Sequence, residues 1–263
     1  MKIAVSGATG RMGKLIIEAV INSDDLKLVA AVTAPEVAEI GTDAGAWLGK
    51  TTGVVITDDV QELAKADVLI DFTRPQATLA YLPFCIEHNV GIVIGTTGFD
   101  AQGKAQIAEA ARTVPVVFAP NMSVGVNSVL KLLEIAGAML SQYDCEIVEM
   151  HHKHKVDAPS GTALEMGRRV ALGRGVDFDS VAVLSREGHT GERPDGAIGF
   201  AALRGGDVVG DHTVIFAGPG ERIEISHKSG SREGYAQGAV TAARFLKDKS
   251  NGLFSMSDVL GFN

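Results

Sequence analysis

Six short apolar runs punctuate the first 120 residues: Ile3 to Ser6, Leu28 to Val32, Val54 to Thr57, Val68 to Asp71, Ile92 to Gly95 and Val116 to Ala119. Helical patterns separate several of them, at Arg11 to Ile21, Ala77 to His88 and Ala101 to Arg112. Continuous apolar runs are what strands covered on both faces look like, and joining such strands in parallel requires right-handed crossovers, which these helices supply. The expected fold class is therefore α/β, with a Rossmann-type doubly wound parallel sheet.

The first run leads directly into Gly7-Ala8-Thr9-Gly10-Arg11-Met12-Gly13 and then a helix. This is a G-x-x-G-x-x-G variant of the dinucleotide fingerprint. Its first glycine permits the tight turn, the second lets a pyrophosphate approach the backbone, and the third lets helix and strand pack closely. Cofactor choice should be written at the end of the second strand, where an acid would accept ribose hydroxyls and a base would accept a 2′-phosphate. Thr33-Ala34-Pro35 offers neither, and Arg11 lies near enough to help with a phosphate, so use of both NADH and NADPH is expected. Gly95-Thr96-Thr97-Gly98 and Ala119-Pro120-Asn121-Met122 follow the fifth and sixth runs, where strand ends should face the cofactor.

After Asn121 the texture changes. Ser123 to Ser141 is one long helical segment, and Cys145 to Met150 alternates as a strand does. Val181 to Ser185, Ile198 to Arg204, His212 to Ala217 and Arg222 to His227 read as strands of a largely antiparallel sheet, divided by Gly-rich turns. Tyr235 to Lys247 is again helical and returns to the first domain. The expected division is 1–122 with 233–263 as the dinucleotide-binding domain, and 123–232 as an inserted α+β domain; the resemblance described below implies that this insert binds substrate and forms the oligomer. Ser123-Val124-Gly125 and the segment around Ser231 are candidate hinges for closing the two domains, and their glycines serve helix packing equally well.

The stretch Glu149 to Thr162, E-M-H-H-K-H-K-V-D-A-P-S-G-T, crowds three histidines and two lysines just before Ser160-Gly161-Thr162. Ser160 reads as an N-cap, with the helix beginning immediately after it. A cationic loop thus empties into a helix N-terminus, where free amides and protonated side chains converge on one anion site. The formal net charge of −8 excludes general binding to nucleic acid or to acidic membranes, so the basic cluster is a local feature. No apolar run approaches membrane-spanning length, and no leader or anchor is expected. Cys85 and Cys145 form no C-x-x-C pair and read as reduced core thiols, which suits a cytoplasmic compartment.

Together G-A-T-G-R-M-G, G-T-T-G, A-P-N-M-S-V-G and H-H-K-H-K-V-D-A-P-S-G-T resemble the dihydrodipicolinate reductase family, the 4-hydroxy-tetrahydrodipicolinate reductases of lysine biosynthesis by the diaminopimelate route. The likeness continues in Arg204-Gly205-Gly206, Gly210-Asp211-His212-Thr213 and Gly230-Ser231-Arg232. The resemblance implies an NAD(P)H-dependent reduction of a cyclic imine dicarboxylate. It also implies a homotetramer assembled through the substrate domain. By the same similarity His151 matches the acid-base residue, Lys155 the proton donor, and His152, Gly161 and Thr162 the substrate contacts; Ser160 joins them as the cap of the anion-binding helix. Gly7, Ala8, Thr9, Gly10, Arg11 and Met12, then Gly95, Thr96 and Thr97, then Ala119, Pro120, Asn121 and Met122, match the nucleotide-binding segments. Thr33 and Ala34 depart from the acid and arginine of many relatives, which bears on cofactor preference and leaves the reaction untouched. Lys153 and His154 are expected to point to solvent, and Arg232 either reaches the dicarboxylate or pairs at the surface.

Other readings compete. H-H-K-H supplies three imidazoles, but its spacing suits zinc poorly and two lysines would repel a dication, so no metal is expected. A non-enzymatic dinucleotide sensor would have no use for a lysine-histidine cluster. A reductase of another cyclic imine or aldehyde is the nearest alternative.

Overall fold

A computed structural model describes residues 1–262. The chain divides into two compact units, Met1–Val124 together with the residues from Arg232 onward, and Gly125–Ser231.

The first unit is built on β1 (Lys2–Ser6), α1 (Arg11–Ile21), β2 (Lys27–Val32), β3 (Ile56–Thr57), β4 (Val68–Asp71), α2 (Pro75–His88), β5 (Gly91–Ile94), α3 (Ala101–Ala110) and β6 (Pro115–Phe118). The second unit carries most of α4 (Val124–Met139), then β7 (Asp144–His151), α5 (Gly161–Arg174), α6 (Phe178–Val181), β8 (Ala182–Val183), β9 (Ile198–Arg204), β10 (Gly210–Gly218) and β11 (Glu221–Ser229). The chain then returns to the first unit as α7 (Glu233–Leu246), β12 (Gly252–Phe254) and α8 (Met256–Leu260).

The first sheet has seven strands in the order β12-β6-β5-β4-β1-β2-β3, every pairing parallel. Its central strands are covered on both faces, which is why they read as unbroken apolar runs. α1 buries Gly13, Ile16, Ile17 and Val20, the spacing of one helical face, and packs against α7. α7 is rich in buried alanines, and these small side chains bring it close to β4, β5 and β6. Strand order reverses around β1, with β4 on one side and β2 on the other. This crevice is where open α/β sheets bind ligands, beyond the carboxyl ends of the strands. The third crossover is shorter than a helical one, since a 3-10 helix at Val60–Lys65 joins β3 to β4.

The second sheet is mixed, in the order β11-β10-β7-β9-β8. β11, β10 and β7 pair antiparallel over long stretches, whereas β7–β9 and β8–β9 are parallel. Where a single strand over Val181 to Ser185 was expected, Phe178–Val181 is one helical turn, capped by the Asp177 side chain, and only Ala182–Val183 pairs. β7 buries Cys145, Ile147, Glu149 and His151, and β10 buries Gly210, His212, Val214 and Phe216, alternate residues in each strand. The apolar members of both sets pack on α4 and α5 in the core of this unit.

Candidate active site

In the first unit the expected nucleotide-binding residues all follow carboxyl ends of parallel strands: Gly7 to Met12 after β1, Thr33 after β2, Gly95 to Thr97 after β5 and Ala119 to Met122 after β6. Gly7 sits at φ +63°, and a Cβ on Gly13 would stand 2.0 Å from the Gly7 carbonyl oxygen, so both positions require glycine. The N-cap of α1, Gly10, brings no side-chain acceptor to the first turn. The leading amides of α1 therefore remain available to an anion, which is the donor set that a dinucleotide pyrophosphate needs. The Thr33 hydroxyl lies 2.8 Å from that of Thr9, tying the end of β2 to the glycine loop, while Ala34 beyond it is exposed. Ala8, Ala119 and Met122 are buried, so any contact they make with a ligand runs through the backbone.

In the second unit the histidine-rich stretch is held from below by one carboxylate. Glu149 is 1% exposed, yet it meets four donors. Arg204 grips it with both terminal nitrogens, at 2.8 Å to Oε2 and 2.9 Å to Oε1. The Ser160 amide donates to Oε1 at 3.1 Å, and Nδ1 of His151 lies 2.6 Å from Oε2. Burial alone would raise the Glu149 carboxyl, but Arg204 and His151 outweigh it and hold the group below its ordinary value. An ionised Glu149 accepts from Nδ1–H, which leaves Nε2 of His151 as the working nitrogen. A Cβ on Gly210 would lie 2.9 Å from that Nε2, so the missing side chain leaves room beside it.

β7 ends at His151, and the chain turns at once, with the Lys155 amide donating to the His152 carbonyl at 3.1 Å. Lys153 and His154 are exposed as expected, carried outward by this turn. His152 is half-buried, and its Nδ1 accepts from the His154 amide at 3.2 Å. Lys155 donates to Asp157 at 2.8 Å, and this ammonium holds the Asp157 carboxyl below its ordinary value. Ser160 caps α5, its hydroxyl accepting from the Ala163 amide at 3.1 Å. That cap leaves the Gly161 and Thr162 amides, the first two of the helix, without an intrahelical partner.

Sequence reasoning assigned no role to Glu149, Arg204 or His212. His212 lies opposite Glu149 across the sheet, its ring 5.0 Å from that of His151 and edge to face with it. Its Nε2 is 3.0 Å from the Ser160 hydroxyl, and its Nδ1 is buried without a partner among the described residues. Burial first, then the charge of His151, lower its pKa to about 4, with His227 and Lys155 adding to the effect. Glu149 and His212 occupy the buried phase of their strands, and a charged or polar residue in an otherwise apolar alternation is the signal that marks them. Arg232, the N-cap of α7, is half-buried in the first unit.

Family models described as the N-terminus and the C-terminus of dihydrodipicolinate reductase match residues 1–122 and 125–260. The chain is 60% identical over 263 residues to the 4-hydroxy-tetrahydrodipicolinate reductase of Polynucleobacter necessarius subsp. necessarius, covering 99% of each chain. It is equally similar, 60% with 99% of each covered, to that of Cupriavidus metallidurans. Among solved structures, a dipicolinate-bound dihydrodipicolinate reductase from Paenisporosarcina sp. TG-14 shares the fold at a TM-score of 0.77, with 24% identity over 97% of each chain. A probable dehydrogenase from Thermotoga maritima shares it more loosely, at a TM-score of 0.61 and 15% identity, covering 98% of this chain and 92% of that one. With both halves of the chain matched, and with the glycine loop and the Glu149–His151 pair each in place at a strand end, the chain belongs to the dihydrodipicolinate reductase family.

Proposed function

We propose that this chain reduces 4-hydroxy-tetrahydrodipicolinate to tetrahydrodipicolinate with NADH or NADPH, in the diaminopimelate route to lysine. The observation that carries the reading is the convergence, at one end of β7, of a carboxylate-oriented histidine, a lysine and the open amides of α5. Once the 4-hydroxyl has left as water, which creates the conjugated imine ring, NAD(P)H when bound would supply a hydride to that ring. The residues of this chain do the rest.

The amides of Gly161 and Thr162 hold one substrate carboxylate at the positive end of α5, with Ser160 keeping that helix turn in register. His152, half-buried beside them, contacts another part of the dicarboxylate. Hydride arrival leaves negative charge on the ring, and Lys155 donates the proton that quenches it. Its pairing with the exposed Asp157 is weak enough for the ammonium to turn toward a substrate anion. With Nδ1–H held by Glu149 and a second proton on Nε2, His151 stabilises the developing negative charge or relays that proton. General acid catalysis of this kind contributes about 100- to 10,000-fold. Lys155→Ala tests the assignment: kcat should fall by at least about 100-fold with the fold intact, and unchanged turnover would remove Lys155 from the mechanism.

The protein works as a homotetramer in the cytoplasm. Support for assembly comes from an apolar groove of about 280 Å³ formed by Leu132, Ile135 and Met139 of α4 with Ile223 and Ile225 of β11, the edge strand that pairs with β10 on one side alone. Three of these side chains, Leu132, Ile135 and Met139, are more than 45% exposed, which a partner subunit would correct. A monomer mass by light scattering would overturn this part. Among the described residues no helix is long and apolar enough to cross a membrane.

A further inference from the structure

A fully buried acid stands at the carboxyl edge of the first sheet with no part in the chemistry above. Asp71 ends β4, and its carboxylate accepts from four hydroxyls: Ser6 of β1 at 2.5 Å, Thr73 at 2.7 Å, Thr96 at 3.0 Å, and Thr78 of α2 in a shorter contact. No lysine or arginine is hydrogen bonded to it among the described residues. Such a site is costly unless every lone pair is satisfied, and an apolar side chain would serve the core better. What the acid adds is geometry.

The four hydroxyls belong to four separate segments. Ser6 directly precedes the Gly7 turn, Thr73 lies in the turn after β4, Thr78 is in the first turn of α2, and Thr96 is in the G-T-T-G loop after β5. The Thr96 hydroxyl also accepts from the Thr73 amide at 2.8 Å, so its own proton is committed to Asp71 and its orientation is fixed. The Phe72 ring fills the space beside Gly95, where a Cβ would lie 2.2 Å from the nearest ring carbon. The charge of Asp71 reaches further still: burial first and Asp71 second push the Cys85 thiol up to about 12. Apart from Ser6, which ends β1 at the reversal itself, these groups lie on the β4–β5 side of the strand-order reversal. In a doubly wound sheet each side takes one half of a dinucleotide, and the adenosine half falls to the β1–β2 side, where Thr33 sits.

We propose that Asp71 is a positioning residue for the nicotinamide half of the cofactor, orienting the Thr73 turn and the Gly95–Thr97 loop through their hydroxyls without touching the ligand. The inference rests on the dinucleotide reading given above. Asparagine has the same shape, but its NH2 group enters a ring of hydroxyls that are all arranged to donate, so at least one must turn away. The damage should therefore fall on one half of the cofactor.

NADH and ADP-ribose, the same molecule without nicotinamide, separate the halves. Titrating wild type and D71N with each, alongside thermal unfolding, should show the NADH Kd raised about tenfold while that of ADP-ribose stays within twofold. Equal weakening of both ligands, or no change in either, overturns the proposal, since a purely structural acid would not discriminate between them. Should D71N fail to fold, T78V decides: it removes one hydroxyl from Asp71 at a buried position of α2. A selective loss of NADH affinity of threefold or more supports the assignment, and an unchanged ratio overturns it. Wild type binding neither ligand would overturn the dinucleotide reading itself, and the inference with it.

Discussion

Glu149→Gln should cut kcat by roughly 100- to 10,000-fold in a protein that still folds. The reason lies in the count of donors around the carboxylate. Oε1 accepts from the Ser160 amide and from Arg204, and Oε2 accepts from Arg204 and faces Nδ1 of His151. Glutamine keeps only one oxygen. If its NH2 took the Oε1 place it would oppose two donors that cannot change. It must therefore turn toward His151, the only partner able to become an acceptor. The imidazole then carries its proton on Nε2, the inverted tautomer, and loss of the right tautomer at a catalytic histidine costs up to about 10,000-fold. One guanidinium N–H of Arg204 is left facing the amide, which should lower stability by about 2–4 kcal/mol. Saturating initial rates, thermal unfolding and the nitrogen-15 shifts of the His151 ring would read the three consequences separately. A folded E149Q enzyme with kcat within threefold of wild type would refute the reasoning.

Three further outcomes are expected. His212 should make stability pH-dependent: its pKa is about 4 in the folded chain against 6.5 as the ordinary value, so the unfolded state binds more protons between them and stability is lost as pH falls through that window. Denaturant titrations should show a difference of about 2 kcal/mol between pH 7 and 4.5 in wild type that H212N lacks, and equal slopes in both would contradict the assignment. Gly13→Ala should abolish tight NADH binding, because its Cβ meets the Gly7 carbonyl at 2.0 Å and the backbone of the loop must shift at a cost of about 1–3 kcal/mol; fluorescence titration checks this. Ala34→Arg places a cation at the exposed end of β2 and should raise the kcat/KM preference for NADPH over NADH about tenfold, or ~1.4 kcal/mol.

The parallel sheet was legible because buried strands and their crossovers leave unambiguous local patterns: α1, β4 and β9 occupy the residues that periodicity predicts. Ser160 was legible as a cap for the same reason, since capping is decided within a few residues. β12 was not, because Gly252–Phe254 is three residues long and exists only by pairing with β6, distant in sequence. The parallel pairing of β7 with β9 was equally hidden, as register between strands depends on tertiary packing. At the site, motif and resemblance drew attention to His151 and Lys155, whose chemistry is distinctive. The support beneath them was less visible. Glu149 and His212 each break an apolar alternation, a signal present in the sequence that points to burial but not to a partner. That Arg204, 55 residues along the chain, completes the grip on Glu149 follows only from the fold.

The most direct test of the account is the initial rate of NADPH and of NADH oxidation, measured in parallel with freshly generated dihydrodipicolinate synthase product as substrate. The account predicts consumption of both cofactors, dependent on that substrate and lost in Lys155→Ala. A folded protein that binds dinucleotide yet oxidises neither cofactor with this substrate would contradict it and point to another imine as the true substrate.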